Sequence, residues 1–262
     1  MGGVNATSWT TRLRRIGRLA LALGHTFWGA TRRTAHREVV ERGSARILDA
    51  VAVDVRVRGA RPLLAGPVLL VANHVSWLDV QALGAVAGTR FVAKAEVRDW
   101  PVVGALAARL GTLFIRRGHR RDAMRVKNAI AKLLVSGERV AVFPEATTTD
   151  GSRLGAFHAA LLQAAIDAAI PVQPVAIRHC EPDGTPADAA AFVDDMTFAT
   201  SLGRVLARPR LVVELTFGPP MWAADQTRRQ LAARSRSFVA GVLGLDDRDG
   251  AAAVAPSIRR AA

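Results

Sequence analysis

The chain has 262 residues, half of them hydrophobic, with 36 Lys and Arg against 22 Asp and Glu for a net charge of +14. That content excludes a disordered chain and is enough for one sizeable core. Cys180 is the single cysteine, so no intramolecular disulfide framework exists, and no period of roughly 20–50 residues marks a solenoid. The charge has two readings. One is attraction to anionic headgroups, a phosphate-bearing donor, an acidic carrier protein or nucleic acid. The other is a genome that writes Arg wherever a cation is tolerated, since Lys94, Lys127 and Lys132 are the only lysines and Tyr is absent.

Residues 1–50 read as helical and peripheral. Arg12, Arg14, Arg15 and Arg18 precede an apolar stretch of about 12 residues that begins at Leu19 and carries Phe27 and Trp28, with Arg32 and Arg33 behind it. A spanning helix needs ~20 apolar residues, and no small-residue cleavage site marks a signal peptide. Cationic flanks with aromatic residues predict a helix lying in a membrane interface; an ordinary helix docked on the core is the alternative.

From residue 51 the pattern changes. Residues 51–57 alternate like a half-buried strand, and 67–72 are continuously apolar, as in a strand buried on both faces. Short runs of this kind recur at 90–93, 112–115, 139–143 and 172–177. Helical periodicity lies between several of them. The clearest case is 123–135, with Met124, Ile130, Leu133 and Leu134 and a stop at Gly137. Residues 181–200 read as a long loop, and 211–217 as a strand pairing late at an edge. Asp225 is the expected cap of a last helix near 226–244, followed by a frayed tail at 246–262. Strands alternating with helices predict an α/β fold, a mostly parallel central sheet flanked by helices, spanning 51–245 behind the N-terminal helical segment.

The strand at 67–72 runs into Asn73, His74, Val75, Ser76, Trp77, Leu78 and Asp79. Ligands bind where strands of a parallel sheet end. An imidazole there can take a proton from a hydroxyl, and a carboxylate can hold its tautomer and stabilise the imidazolium. Five residues on a regular helix turn by about 140°, so His74 and Asp79 meet only if His74 sits on the turn before a helix and Asp79 in its first turns. A helix cap with a hydrogen-bonded His is the plainer alternative.

Three further segments carry chemistry. Gly111 opens a short apolar strand ending in Arg116 and Arg117, and Lys94 ends an earlier one. Guanidiniums bind phosphate oxygens in bidentate fashion, although such a strand end can equally be solvated. Phe143 and Pro144 lead into Glu145, Ala146, Thr147, Thr148 and Thr149, where an acidic side chain straight after a core strand demands a partner or a cleft. Pro171 and Pro174 open the strand at 172–177, a tolerable place for proline. There is no Gly-x-Ser-x-Gly elbow, no Gly-rich phosphate loop and no cluster at metal-ligand spacing. His119 reads as a solvated residue, and His158 and His179 have no partner assignable from sequence.

These four segments together resemble the motifs of the glycerolipid acyltransferase family typified by 1-acylglycerol-3-phosphate O-acyltransferase. The match runs from N-H-x4-D at 73–79 and G-x-x-F-I-x-R at 111–117 to F-P-E-G-T-R at 143–148 and V-P-x-x-P-V at 170–175. The resemblance covers roughly 50–220. It implies that His74 deprotonates the acceptor hydroxyl with Asp79 orienting it, and that the hydroxyl attacks a thioester carbonyl without an acyl-enzyme. Arg116, Arg117 and the loop of Glu145, Ala146, Thr147 and Thr148 would hold the acceptor headgroup, with Lys94. The resemblance implies an acyl-CoA or acyl-carrier protein donor, a lysolipid acceptor and a membrane surface as partners, no nucleic acid, no cofactor and no metal. The expected place is the cytoplasmic face of the inner membrane. The leading acceptor is 1-acyl-sn-glycerol 3-phosphate, with lyso-ornithine lipid as the alternative, because the Thr-Thr-Thr-Asp-Gly run resembles enzymes of that type. Two residues depart from the pattern: Ala146 stands for the usual Gly, which bears on the loop's backbone, and Thr148 for the usual Arg, which bears on the acceptor.

Overall fold

Five aliphatic residues, all buried, form strand β2 (Val68–Ala72), and the rest of the sheet is laid out around it. The computed structural model describes residues 7–31, 36–59, 61–116, 118–193, 195–224 and 226–247. The other strands are β1 (Val53–Arg58), β3 (Arg90–Lys94), β4 (Leu113–Ile115), β5 (Arg139–Val142), β6 (Val172–Cys180) and β7 (Leu211–Phe217), in the order β1-β7-β6-β2-β5-β3-β4. Every pairing is parallel except that of β6 with β7. β2 therefore lies at mid-sheet, flanked by β5 and β6, and alternate residues point to opposite faces.

One face is covered by α1 (Trp9–Gly29), α2 (His36–Ala50), α3 (Trp77–Ala87) and α7 (Phe198–Ala207), which bury Leu19, Ile47, Leu78, Leu83 and Leu206 with Leu70 of β2. The other is covered by α5 (Arg120–Val135), α6 (Gln163–Asp167) and α8 (Arg228–Leu243), which bury Ile130, Leu134 and Leu231 with Leu69 and Val71. A short helix, α4 (Val103–Arg109), follows β3. Even the one charged residue of β5 is accommodated, since the Arg139 guanidinium donates to the carbonyls of Leu64, Gly66 and Ala87.

The predicted α/β architecture is the observed one, with local differences. β7 is an interior strand, because β1 pairs outside it and takes the edge, where Arg56 and Arg58 suit exposure. α2 is not peripheral: Val40, Ile47 and Leu48 are buried, and a Cβ on Gly43 or Gly84 would collide with Thr26 or Ser44, so α1, α2 and α3 pack closely. On α5 the inward stripe is Val126, Ile130 and Leu134, and Met124 is 57% exposed. The segment expected to be a loop holds a single helical turn at Asp188–Ala190 and the start of α7. α8 is capped by Thr227 and Gln230 in a reciprocal box and stops at Gly244, which is left-handed at φ +69°. Asp225, Arg32, Arg33 and residues 248–262 lie outside the described residues. No helix among the described residues is long and apolar enough to cross a membrane.

Candidate active site

The ends of three adjacent strands, β5, β2 and β6, converge on the site. Where β2 stops, the Asn73 side chain replaces the ladder: its amide nitrogen donates to the carbonyl of Ile177 at 2.9 Å and its oxygen accepts the Ile177 N–H at 2.8 Å. The turn that follows is held by its own backbone. Thr149 N–H donates to the His74 carbonyl, and Phe192 N–H to that of Val75. Ser76 then caps α3, its Oγ accepting from Leu78 N–H, while Asp79 reaches back to the Ser76 N–H at 2.8 Å.

That reach makes Asp79 the hub of the site. Its Oδ2 also accepts from Val75 N–H at 2.7 Å and meets His74 Nδ1 at 2.8 Å, while Oδ1 meets His179 Nε2 at 2.6 Å. Burial is complete and by itself pushes the carboxyl up; the charge and hydrogen bond of His179, then those of His74, overcome it and hold the group well below the usual carboxylate range. An ionised carboxylate only accepts, so the proton on His74 lies on Nδ1 and Nε2 carries the lone pair. The ring stacks on Phe143 with centroids 4.0 Å apart and planes 12° apart, which fixes its orientation. His74 lines a cavity of about 320 Å³. Its walls are mostly apolar: Leu19 and Leu23 from α1, Ile47 from α2, Trp77 and Val80 from α3, Leu106 from α4, with Phe91 and Phe143 near the histidine.

Glu145, which the resemblance places in the headgroup-binding loop, is bonded to backbone. It is 5% exposed, and its two oxygens accept the backbone N–H groups of His74 at 2.8 Å and Gly155 at 2.7 Å. Burial pushes this carboxyl up, partly offset by those two hydrogen bonds. The side chain braces the His74 turn against the loop after β5. A Cβ on Gly155 would sit 3.0 Å from Glu145 Oε2, so the bond depends on a residue without a side chain there.

Ala146 occupies φ +59°, the left-handed region its usual Gly would occupy freely. The loop keeps the conformation, and Ala carries the strain. Ala146→Gly is expected to stabilise the protein by about 0.5–1 kcal/mol, the left-handed strain less the extra freedom of Gly in the unfolded chain. Denaturant titration of both proteins checks this, and a lower stability for the variant would contradict it. Thr147 and Thr148 line the cavity with Ala146, and the Thr148 hydroxyl donates to the Phe192 carbonyl.

Of the cations, Lys94 lines the cavity and Arg116 does not. Arg116 faces solvent and pairs with Asp122 at 2.9 Å, because α5 begins so soon after β4 that its first turn captures the guanidinium. Arg117 lies outside the described residues. His179, without an assignable partner in sequence, proves to be the second partner of Asp79. The signal is slight: it falls at the end of β6, the strand beside β2, at a position that faces the α3 side.

Residues 54–178 match the family model described as Acyltransferase. The lyso-ornithine lipid O-acyltransferase of Pseudomonas aeruginosa is 38% identical over 234 residues, 86% of this chain and 89% of that protein. The 1-acyl-sn-glycerol-3-phosphate acyltransferase of Neisseria meningitidis serogroup B is 37% identical over 221 residues, 81% and 85% of the two chains. In fold the chain is similar to the 1-acyl-sn-glycerophosphate acyltransferase PlsC of Thermotoga maritima, with a TM-score of 0.62 and 18% identity over 89% of this chain and 95% of that one. The chain belongs to the acyltransferase family and is an enzyme of acyl transfer. Its relatives carry the names of two different acceptors.

Proposed function

We propose that this enzyme moves a fatty acyl group from an acyl thioester, acyl-CoA or acyl-carrier protein, to the free hydroxyl of 1-acyl-sn-glycerol 3-phosphate, giving phosphatidate. One observation carries the reading. The His74–Asp79 pair opens onto a largely apolar cavity whose described lining includes Lys94. Apolar walls suit acyl chains, and a cation in the lining suits an anionic headgroup.

His74 Nε2 takes the hydroxyl proton as the oxygen attacks the thioester carbonyl. Asp79 stabilises the imidazolium. The tetrahedral intermediate collapses, the C–S bond breaks, and the thiolate leaves with the proton from His74. No acyl-enzyme is needed, since base, acceptor and donor meet in one cavity.

A lyso-ornithine acceptor is the second reading, favoured by the Pseudomonas relative. Its ammonium would want a carboxylate. Glu145 is taken by backbone, and Asp150 is exposed, bonded to Ser152 and absent from the cavity lining. Direct competition tests the choice. Wild type is expected to esterify the phosphate acceptor about tenfold faster, the discrimination that one charged hydrogen bond supplies, and Thr148→Arg is expected to leave that order unchanged. A wild-type preference for lyso-ornithine lipid that Thr148→Arg shifts toward phosphate would show the acceptor reading to be wrong.

The enzyme would work on the cytoplasmic face of the inner membrane, held by α1. That helix exposes Trp9, Leu13, Ile16 and Phe27 along one face, with Trp28 and Leu21 beside them. Arg12, Arg14, Arg15 and Arg18 are interspersed, the composition of a helix at an anionic interface. Leu13→Glu with Ile16→Glu is expected to weaken flotation with phosphatidylglycerol vesicles by about tenfold or more, on the scale of burying two aliphatic side chains. Turnover of short-chain soluble analogues should persist. Unchanged flotation would place the membrane contact elsewhere.

A further inference from the structure

Asp79 is held from two sides, and only one of them belongs to the recognised motif. His179 sits near the end of β6, buried, with its side chain 4% exposed and its Nε2 2.6 Å from Asp79 Oδ1. Oδ2 accepts two backbone N–H groups and meets His74 Nδ1, and with the carboxylate ionised the proton of the His179 contact lies on Nε2. The other ring nitrogen, Nδ1, is buried with no hydrogen-bond partner among the described residues.

These facts have one economical explanation. Oδ2 has three donors, whereas the described residues give Oδ1 only His179. Without that donor, a fully buried carboxylate would keep one oxygen unsatisfied and could rotate about its Cβ–Cγ bond, carrying Oδ2 off the His74 axis. A ring that merely filled space would do better as Leu or Phe, since its Nδ1 leaves a buried polar atom unsatisfied. Its backbone is fixed by the central sheet: His179 pairs with Val213 of β7, and its carbonyl accepts the Ala187 N–H. A rigid strand therefore aims the donor.

We propose that His179 is a positioning residue for acyl transfer: through Nε2–H it locks the Asp79 carboxylate, so that Oδ2 sets the tautomer and direction of His74. The chain thus uses a His–Asp–His relay geometry in which one imidazole moves the proton and the other never touches substrate. The proposal rests on His74 being the base.

The test measures thiol release and ester formation with the lysolipid wild type uses, for His74→Ala, His179→Phe, His179→Leu, His179→Gln and His179→Asn, each with its thermal melt. A Gln carboxamide can bring its nitrogen to the place of Nε2, whereas Asn is too short. The expected result is that His179→Phe and His179→Leu lose about tenfold or more in kcat with KM for both substrates within about twofold, the signature of a contact that acts on the chemical step. His179→Gln should recover kcat to within about threefold of wild type, and His179→Asn should not. Wild-type kcat in a folded apolar variant would overturn the proposal, as would a loss expressed in KM. If neither apolar variant folds, the Gln and Asn pair decides: equal kcat in the two overturns it. Activity surviving in His74→Ala would instead remove the base assignment, which separates failure of that reading from failure of this one.

Discussion

Replacing His74 by Ala is expected to lower kcat for acyl transfer by about 10²–10⁴-fold, the range for loss of a positioned general base. The fold should survive, because the side chain is 20% exposed and what is lost is one stack on Phe143 and one hydrogen bond. The turn itself is held by backbone groups: the His74 carbonyl by Thr149, its N–H by Glu145, the Val75 carbonyl by Phe192. Steady-state kinetics beside a circular-dichroism melt check both halves. More than a few per cent of activity in a folded His74→Ala would show that the base lies elsewhere.

Asp79→Asn should be as damaging to rate and worse for stability. Four donors converge on this carboxylate. An amide supplies one accepting oxygen: with that oxygen at Oδ2 the NH₂ forces His179 into its other tautomer, and with it at Oδ1 the NH₂ meets two backbone N–H donors. Rate should fall by up to about 10⁴-fold, the scale for the orienting carboxylate of a triad. Each charged hydrogen bond lost in the core removes about 1.5–3 kcal/mol, and each kcal/mol lowers Tm by roughly 2–4 °C for a chain near this size. The deficit should depend on pH in a defined direction. The folded carboxyl titrates below its unfolded value of about 3.9, so its stabilisation is fully present above that pH and is lost only as the solution becomes strongly acid. Urea titrations of both proteins at neutral pH and in acid should therefore converge at the acid end. A constant difference would mean that folding does not shift the Asp79 carboxyl from its unfolded value.

Much of the site was legible because it is local. The buried run of β2, the helix that follows and the five-residue spacing place His74 and Asp79 within one strand–turn–helix junction, and the structure brings them to 2.8 Å. What sequence hides is contact between distant segments. His179 lies a hundred residues after Asp79 and reaches it only because β6 pairs with β2 in one particular register. Glu145 invites a headgroup role when its loop is read alone, and only the fold shows both oxygens occupied by backbone N–H groups. Arg116 looks like an anion ligand until Asp122, six residues on, is seen to hold it. Among the elements, the alternation in β7 fits an edge, yet a strand whose half-buried positions are Glu214 and Thr216 can also lie inside when β1 supplies paired charge, as Arg58 does toward Glu214. The burial of α2 is hidden in the sequence because the helix is polar on average around an inward stripe of Val40, Ile47 and Leu48.

Two other features connect fold to use. The left-handed Ala146 shows that the loop after β5 is dictated by its surroundings rather than by the residue's own preference. The tie from Thr148 to Phe192 links that loop to the 191–193 segment, which also holds the Val75 carbonyl. The walls of the cavity beside His74 are thereby fixed to one another, and the acceptor meets a prearranged surface.

The central claim is that His74 drives direct transfer from thioester to lysolipid. A single-turnover reaction tests it most directly, with an acyl thioester labelled in the acyl chain, excess 1-acyl-sn-glycerol 3-phosphate, and products followed by mass. Wild type is predicted to release one free thiol for each phosphatidate formed, with the label in the new ester, no labelled protein at any time, and neither product above background in His74→Ala. Label appearing first on the protein, or thiol release matched by free fatty acid with no new ester, would contradict it.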